Sequence, residues 1–404
     1  MKILFLGSLI TSAMMEELNN HSKEKASIAP VNYETMLVKG LVENGAEVNC
    51  LSVPAVAAYP NSQYKKISAK HETLFKHTSV DWIPFVNIQG LKQTTIKKNT
   101  EKLLKQWLEK NREIKDKAVL MYSIYPPYTE PALRLCHKYH CHISAIITDL
   151  PEYMYSWKES KGLRGWYSQR LSNQMLSLQG ACDSYILFTE PMADRMKIKD
   201  KPYMVSEGFC DESVFEGIPD QEKYQRKTIV YGGNLSKLYG IKNLVQGFMK
   251  TDLDAELHLY GAGGDASFVE ECAKQDSRIK FFGRVDRTTL LCALKKAHLL
   301  VVNKPTSDDY SNYSFSSKNL EYMISGTPVL MTKVGGMPTE YYDYVYFIED
   351  ESVEGIADYL QRIYGKSVDD LKHKGASAKA FAEKEKNYLS MTRKILHFMQ
   401  NRIS

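Results

Sequence analysis

The sequence predicts an α/β fold in two domains, each built on a parallel sheet, and three observations carry that prediction. The chain has 404 residues, more than one hydrophobic core usually organises. Short, continuously apolar runs such as residues 3–6 and 118–121 read as strands buried on both faces, the pattern of parallel sheets. These runs alternate with helical periodicities, and the rhythm restarts near residue 228 after a polar stretch at 212–226.

Composition narrows the classes. Hydrophobic residues make up 43% and charged residues 25%, as in ordinary globular proteins. No apolar run reaches the roughly 18–20 residues of a membrane span. Seven cysteines, an odd number without a CxxC, suggest a reducing, cytoplasmic setting rather than a disulfide framework. The net charge of +5 suits a phosphate-bearing ligand or peripheral contact with an anionic membrane, with no call for nucleic acid.

In the first half, residues 2–7 form a strand closed by Gly7, with no GxGxxG behind it, so the dinucleotide fingerprint is absent. Residues 11–32 read as a loop, 32–44 as a helix and 47–53 as a second strand. A long loop over 54–80 and a strand over 82–88 follow. The Lys-rich residues 92–117 have helical spacing and offer either a solvated face or a basic face for anionic lipid. Strands are expected at 118–123, 142–148, 184–188 and 205–211, with helices at 130–140 and 163–179. Cys136 to His142 resembles a metal cluster, but it straddles a helix end and a strand, so its side chains should diverge. No metal requirement is predicted. Asp149 follows the tip of the strand 142–148, where parallel sheets place ligand-binding groups; a turn Asp is the plainer reading.

In the second half, the strand 228–231 runs into Gly232-Gly233, a turn that lets backbone N–H groups approach a phosphate. The strand 256–260 runs into Gly261 and Gly263, which permit close approach of a flat base or a sugar. Strands at 279–282, 299–302, 328–332 and 345–348 complete the sheet, and helices from 352 and 367 close the chain. Thr251 to Asp254 holds a DxD, which precedes a strand instead of following one, against a metal role.

The organising stretch is residues 313–330. Ser316 or Ser317 suits an N-cap, and Gly326 with Pro328 suits a helix end. Lys318 and Glu321, three apart, share a face at the open end of this helix, where free N–H groups and the dipole favour an anion. A cation, an anion-binding helix end and a carboxylate within one turn suit a nucleoside diphosphate, with Glu321 accepting from ribose hydroxyls. A capped surface helix with an ion pair is the alternative.

Four segments together resemble the retaining GT-B glycosyltransferases of family GT4, especially those of bacterial capsule, exopolysaccharide and lipopolysaccharide assembly: Gly232-Gly-Asn-Leu with Tyr239-Gly-Ile, His258-Leu-Tyr260-Gly-Ala-Gly263, Phe282-Gly-Arg-Val285, and Ser314-Phe315-Ser316 with Glu321-Tyr-Met-Ile-Ser-Gly-Thr-Pro-Val329. Asp149-Leu-Pro-Glu-Tyr-Met154 adds a weaker likeness. The resemblance implies two Rossmann-like domains. The first, over 1–211, would bind the acceptor; a linker over 212–226 would lead to the nucleotide-sugar domain over 227–385, and a helix over 386–404 would return to the first domain. It implies that Glu321 binds ribose and that Gly232, Gly233 and the loop with Asn234 and Lys237 face the diphosphate. Tyr260, Gly261, Gly263, Arg284 and Val285 would lie near the base and phosphates, and Ser314, Phe315 and Ser316 would meet the sugar. This sequence departs from the family at Tyr313, where an acid is usual, and at Asn234 and Tyr239, where the diphosphate Arg and Lys are usual. Lys318 is the favoured replacement cation, ahead of Lys237 and Arg284.

The reaction so implied moves a hexosyl unit from a UDP-sugar to a lipid-linked saccharide, with retention. Fixed positive charge and helix-end amides would stabilise the departing diphosphate, domain closure would exclude water, and Asp149 would orient sugar or acceptor. An epimerase or phosphorylase of the same fold, or a non-catalytic relative, are the rivals.

Overall fold

The computed structural model describes residues 1–75, 78–154, 162–219, 221–307 and 309–403, with the backbone alone at 154, 163, 164, 167 and 168. The chain forms two compact units, Met1–Glu207 with Tyr388–Ser404, and Gly208–Asn387.

Among the described residues the first unit holds ten strands: β1 (Lys2–Gly7), β2 (Glu47–Ser52), β3 (Lys66–Ile67), β4 (His71–Phe75), β5 (Thr78–Trp82), β6 (Phe85–Val86), β7 (Lys117–Tyr122), β8 (His142–Ile147), β9 (Ser184–Leu187) and β10 (Tyr203–Val205). Eight of them make one sheet in the order β10-β9-β8-β7-β1-β2-β5-β4. All neighbours are parallel except β4, which runs antiparallel to β5. The interior strands are apolar on both faces, with Ile3, Leu4, Phe5 and Leu6 all buried. The last helix, Tyr388–Ile403, packs on Ala29–Glu43. Gly40 makes room for it, since a Cβ there would lie 2.3 Å from Thr392 Oγ1. Asn44 Nδ2 donates to Leu389 O and Thr392 Oγ1, each at 3.0 Å.

Several expected loops are ordered elements. Within 11–32, Ser12–Asn20 is a helix, capped by Thr11 Oγ1, which accepts from Met14 N at 3.4 Å. The next helix begins at Ala29, ahead of the expected 32. The stretch 54–80 contains β3, β4 and the start of β5, while the strand expected over 82–88 is broken at Pro84 into β5 and the separate ribbon β3–β6. Residues 76–77 of the first of these stretches, 155–161 of the segment after Asp149, 220 of the expected linker and 404 lie outside the described residues.

The second unit holds β11 (Lys227–Asn234), β12 (Ala255–Ala262), β13 (Ile279–Gly283), β14 (Leu299–Val302), β15 (Val329–Thr332) and β16 (Tyr346–Ile348). Their order is β13-β12-β11-β14-β15-β16, all parallel. Alternate residues feed two cores: Ile229, Leu257, Leu299 and Val301 on one face, Val230, Leu300, Val302 and Val329 on the other. The chain leaves β11 toward β12 and β13, then returns past β11 to β14. The carboxyl ends of β11 and β14 therefore flank the point where strand order reverses, the place where open α/β sheets bind ligands. Gly232 and Gly233 end β11, and Asn303 and Lys304 follow β14.

Candidate functional site

Lys318, on the helix Ser317–Ile324, lies against the end of β11. A Cβ on Gly233 would stand 1.8 Å from Lys318 Nζ, and Gly233 has φ +152, so this position is a glycine because the ammonium occupies the space. Lys318 Nζ donates to Tyr231 Oη at 3.2 Å and lies 4.8 and 4.9 Å from the ring centroids of Tyr231 and Tyr239. Tyr231 Oη in turn donates to Asn234 O at 2.8 Å. Burial lowers the Lys318 pKa to about 8, with the Glu321 charge acting the other way. No carboxylate among the described residues forms an ion pair with Lys318, and the Glu321 charge acts on it only from a distance, so the enclosed ammonium at the glycine turn is left without a contacting anion.

The helix and the turn are locked together. Gly232 N donates to Tyr322 Oη at 2.8 Å, and Tyr322 Oη donates to Gly232 O at 3.1 Å. Tyr322 is 1% exposed, so this pair of hydrogen bonds fixes the helix that carries Lys318 and Glu321 against β11. A second close approach holds the neighbouring strand: a Cβ on Gly261, with φ +128, would lie 1.8 Å from Gly233 O.

Glu321 is 21% exposed and accepts from Arg287 Nη2 at 2.5 Å. The plainer alternative in the sequence was an ion pair between Lys318 and Glu321. The structure places the two charges near each other but gives Glu321 to Arg287, at the start of the helix Arg287–Lys296. Arg287 was missed because its partner lies 34 residues away and no local spacing links them.

The other expected donor residues divide. Asn234, Lys237 and Arg284 are exposed, with Val285 half-buried. Tyr260 is buried and stacks on Phe282, with ring centroids 4.6 Å apart and planes 6° from parallel; Phe282 is 46% exposed. Gly263 sits close under Leu235 O, where a Cβ would be 2.1 Å away. Ser314 and Phe315 are buried, and Phe315 packs on Tyr341 at 5.3 Å. Ser316 is the N-cap, but its hydroxyl makes no capping bond; Asn319 N donates to Ser316 O at 2.9 Å, so the N–H groups ahead of it are the ones a ligand can meet. Gly326 follows this helix with φ +76, as a C-terminal glycine should.

Asp149 belongs to the first unit, at the end of β8. Thr148 Oγ1 donates to Asp149 Oδ2 at 3.4 Å and shares a 3.3 Å hydrogen bond with Tyr122 Oη. The same sheet edge holds a carboxyl that sequence reasoning missed. Glu34 is fully buried and accepts from Ser8 N at 2.9 Å and Ser8 Oγ at 2.6 Å. Burial pushes its pKa up to about 8, against the lowering effect of the Ser8 bonds.

Comparison with known proteins places this geometry in context. Residues 226–366 match the family described as "Glycosyl transferases group 1". A 149-residue stretch is 30% identical to N-acetyl-alpha-D-glucosaminyl L-malate synthase of Bacillus anthracis, covering 35% of this chain and 36% of that protein. The match thus spans about a third of the relative's length. Among solved structures, sucrose-phosphate synthase of Thermosynechococcus elongatus aligns over 99% of both chains, with a TM-score of 0.64 and 13% identity. HepE of Anabaena, solved in complex with UDP, aligns over 99% of this chain and 100% of that one, with a TM-score of 0.60 and 14% identity. WaaG, a glycosyltransferase involved in lipopolysaccharide biosynthesis, aligns over 98% and 99%, with a TM-score of 0.59 and 14% identity. At such identities the likeness is one of fold, the two-domain α/β architecture of the GT-B type.

Proposed function

We propose that this protein is a glycosyltransferase that takes a hexosyl unit from a UDP-sugar held in its second unit. The observation that carries the reading is the enclosed Lys318 ammonium, whose charge no carboxylate among the described residues meets in an ion pair. It lies at a glycine turn beside the free N–H groups of a helix, with Glu321 three residues along. A diphosphate supplies the missing negative charge, and Glu321 can exchange Arg287 for ribose hydroxyls. The family match over 226–366 and the fold shared with a structure solved with UDP support this reading.

In the reaction, negative charge grows on the diphosphate as the anomeric bond breaks. Lys318 and the helix amides stand fixed before that charge appears, so stabilising it needs little reorganisation. We assign the rest by resemblance: retention at the anomeric carbon, an acceptor that is a saccharide on a lipid diphosphate, a role for Asp149 in orienting it, peripheral contact with an anionic inner membrane face, and surface polysaccharide assembly. No divalent metal enters the scheme. No helix among the described residues is long and apolar enough to cross a membrane.

The test is incubation of the protein with a panel of UDP-sugars, with and without saccharide acceptors, following UDP release and products. Transfer that depends on acceptor supports the proposal. Conversion of the donor alone would make the protein an epimerase or phosphorylase, and failure to bind any nucleotide sugar would make it a non-catalytic relative.

A further inference from the structure

The segment Cys136 to His142, expected to scatter its side chains, brings two of them together. The helix Pro126–Lys138 ends at Tyr139, and His140 turns the chain with φ +50, a left-handed position that glycine usually holds. Cys141 N donates to Cys136 O at 2.9 Å, which closes the six-residue loop of a Schellman helix end. The two ends of such a loop commonly share an apolar side-chain contact. Here both ends are cysteines. Cys136 is fully buried, Cys141 is 4% exposed, and the Cys136 thiol donates to Cys141 Sγ. The histidines do diverge: His137 and His140 are exposed, while His142 Nε2 shares a 2.9 Å hydrogen bond with Ser184 Oγ. Among the described residues no group of three metal-ligating side chains could hold an ion.

The two thiols are not equivalent. The hydrogen bond from Cys136 holds the Cys141 pKa below the ordinary thiol value; burial and the Asp183 charge oppose it, and the Lys117 ammonium adds to it. The same bond, together with burial, raises the Cys136 pKa. Burial also raises the thiols of Cys50, Cys182, Cys210 and Cys272. Cys141 is therefore a thiol favoured to ionise, and a thiolate is the form that oxidants attack. Cys136 stands beside it, positioned to trap the oxidised sulfur. The backbone bond between the two residues already closes their loop, so joining the sulfurs needs little further ordering of the chain.

We propose that Cys136 and Cys141 are a redox modification site, a dithiol that hydrogen peroxide converts to a disulfide tying the end of the helix Pro126–Lys138 to the start of β8. Peroxide is little larger than water, which suits a thiol this enclosed. The Cys141 thiolate attacks one peroxide oxygen, the O–O bond breaks, and hydroxide leaves and takes up a proton as water. Cys141 is then a sulfenic acid. Cys136 Sγ attacks Cys141 Sγ, the S–O bond breaks, and the hydroxide leaves as water with the Cys136 proton. Two thiols lose two electrons and two protons, and one peroxide becomes two waters. The site is independent of the nucleotide-sugar reading, because it lies at the opposite end of β8 from Asp149.

The experiment treats the reduced full-length protein with a small molar excess of hydrogen peroxide, stops the reaction with catalase, and alkylates the remaining thiols with N-ethylmaleimide in guanidinium. Mass spectrometry then counts the alkylated thiols and maps them. The wild type is expected to lose two of its seven alkylatable cysteines. Trypsin, which cuts after Lys138, should release the Cys136 and Cys141 peptides joined by a disulfide, and dithiothreitol should restore all seven thiols. Cys182→Ala should keep the disulfide. Cys136→Ala should stop at a Cys141 sulfenic acid that dimedone traps. The proposal is overturned if the wild type still alkylates at Cys136 and Cys141, if either of them is joined to Cys182 instead, or if Cys141 goes to sulfinic acid without linkage. The decisive readout is on the wild type, so a variant that fails to fold does not shield the proposal.

Discussion

Replacing Lys318 by Met isolates the positive charge on which the proposed donor site depends. The variant keeps length and packing against Tyr231 and Tyr239 while removing the ammonium. Two effects of opposite sign follow. In the empty protein the charged form is strained, because lowering its pKa from 10.5 to about 8 corresponds to about 3 kcal/mol. Part of that cost disappears with the charge, so the ligand-free variant should melt a few degrees higher than wild type. With UDP the sign reverses, because losing one member of an enclosed charge pair costs about 2–5 kcal/mol. The helix amides still meet the phosphates, so the lower end applies, a weakening of UDP binding by about 30–150-fold. The assay is calorimetric titration of UDP at pH 7 alongside thermal unfolding of both proteins. A higher melting temperature with lost affinity separates a binding role from misfolding. A variant that binds UDP within threefold of wild type would refute the assignment of Lys318 to the diphosphate.

Further outcomes follow from the same geometry. UDP affinity of the wild type should fall above about pH 8 as Lys318 loses its proton, and Lys318→Met should show no such fall in titrations from pH 6.5 to 9.5. Glu321→Ala should weaken UDP about 10–100-fold, whereas Arg287→Ala, which frees Glu321 for ribose, should leave UDP affinity equal or up to threefold tighter. Gly233→Ala should abolish UDP binding, since its Cβ claims the space of Lys318 Nζ. Glu34, whose pKa is raised by burial to about 8, binds more protons folded than unfolded between pH 4.5 and 8. Its contribution is present below pH 4.5 and lost as pH rises through 8. Thermal unfolding at pH 5 and pH 8.5 should show Glu34→Gln gaining several degrees on wild type at the higher pH only.

The parts of the fold legible in the sequence were those set by burial. Strands β11, β12, β14 and β15 are interior and apolar on both faces, so their runs announced them. The edge elements were less visible. The helix Ser12–Asn20 buries only Met15 and Leu18, too few apolar positions to stand out in a polar stretch. The ribbon β3–β6 has two residues per strand, below any readable period. At the site, Lys318 and Glu321 could be paired by helical spacing, and Gly233 by its turn. Contacts made by folding could not. Arg287 on Glu321, Tyr322 on Gly232 and Ser8 on Glu34 each join residues on different elements.

The most direct measurement is calorimetric titration of UDP into the wild type and into Glu321→Ala. We expect micromolar binding by the wild type and its loss, or a weakening of at least tenfold, in the variant. Absence of UDP binding by the folded wild type, or equal affinity in both proteins, would contradict a UDP-sugar site built on this helix.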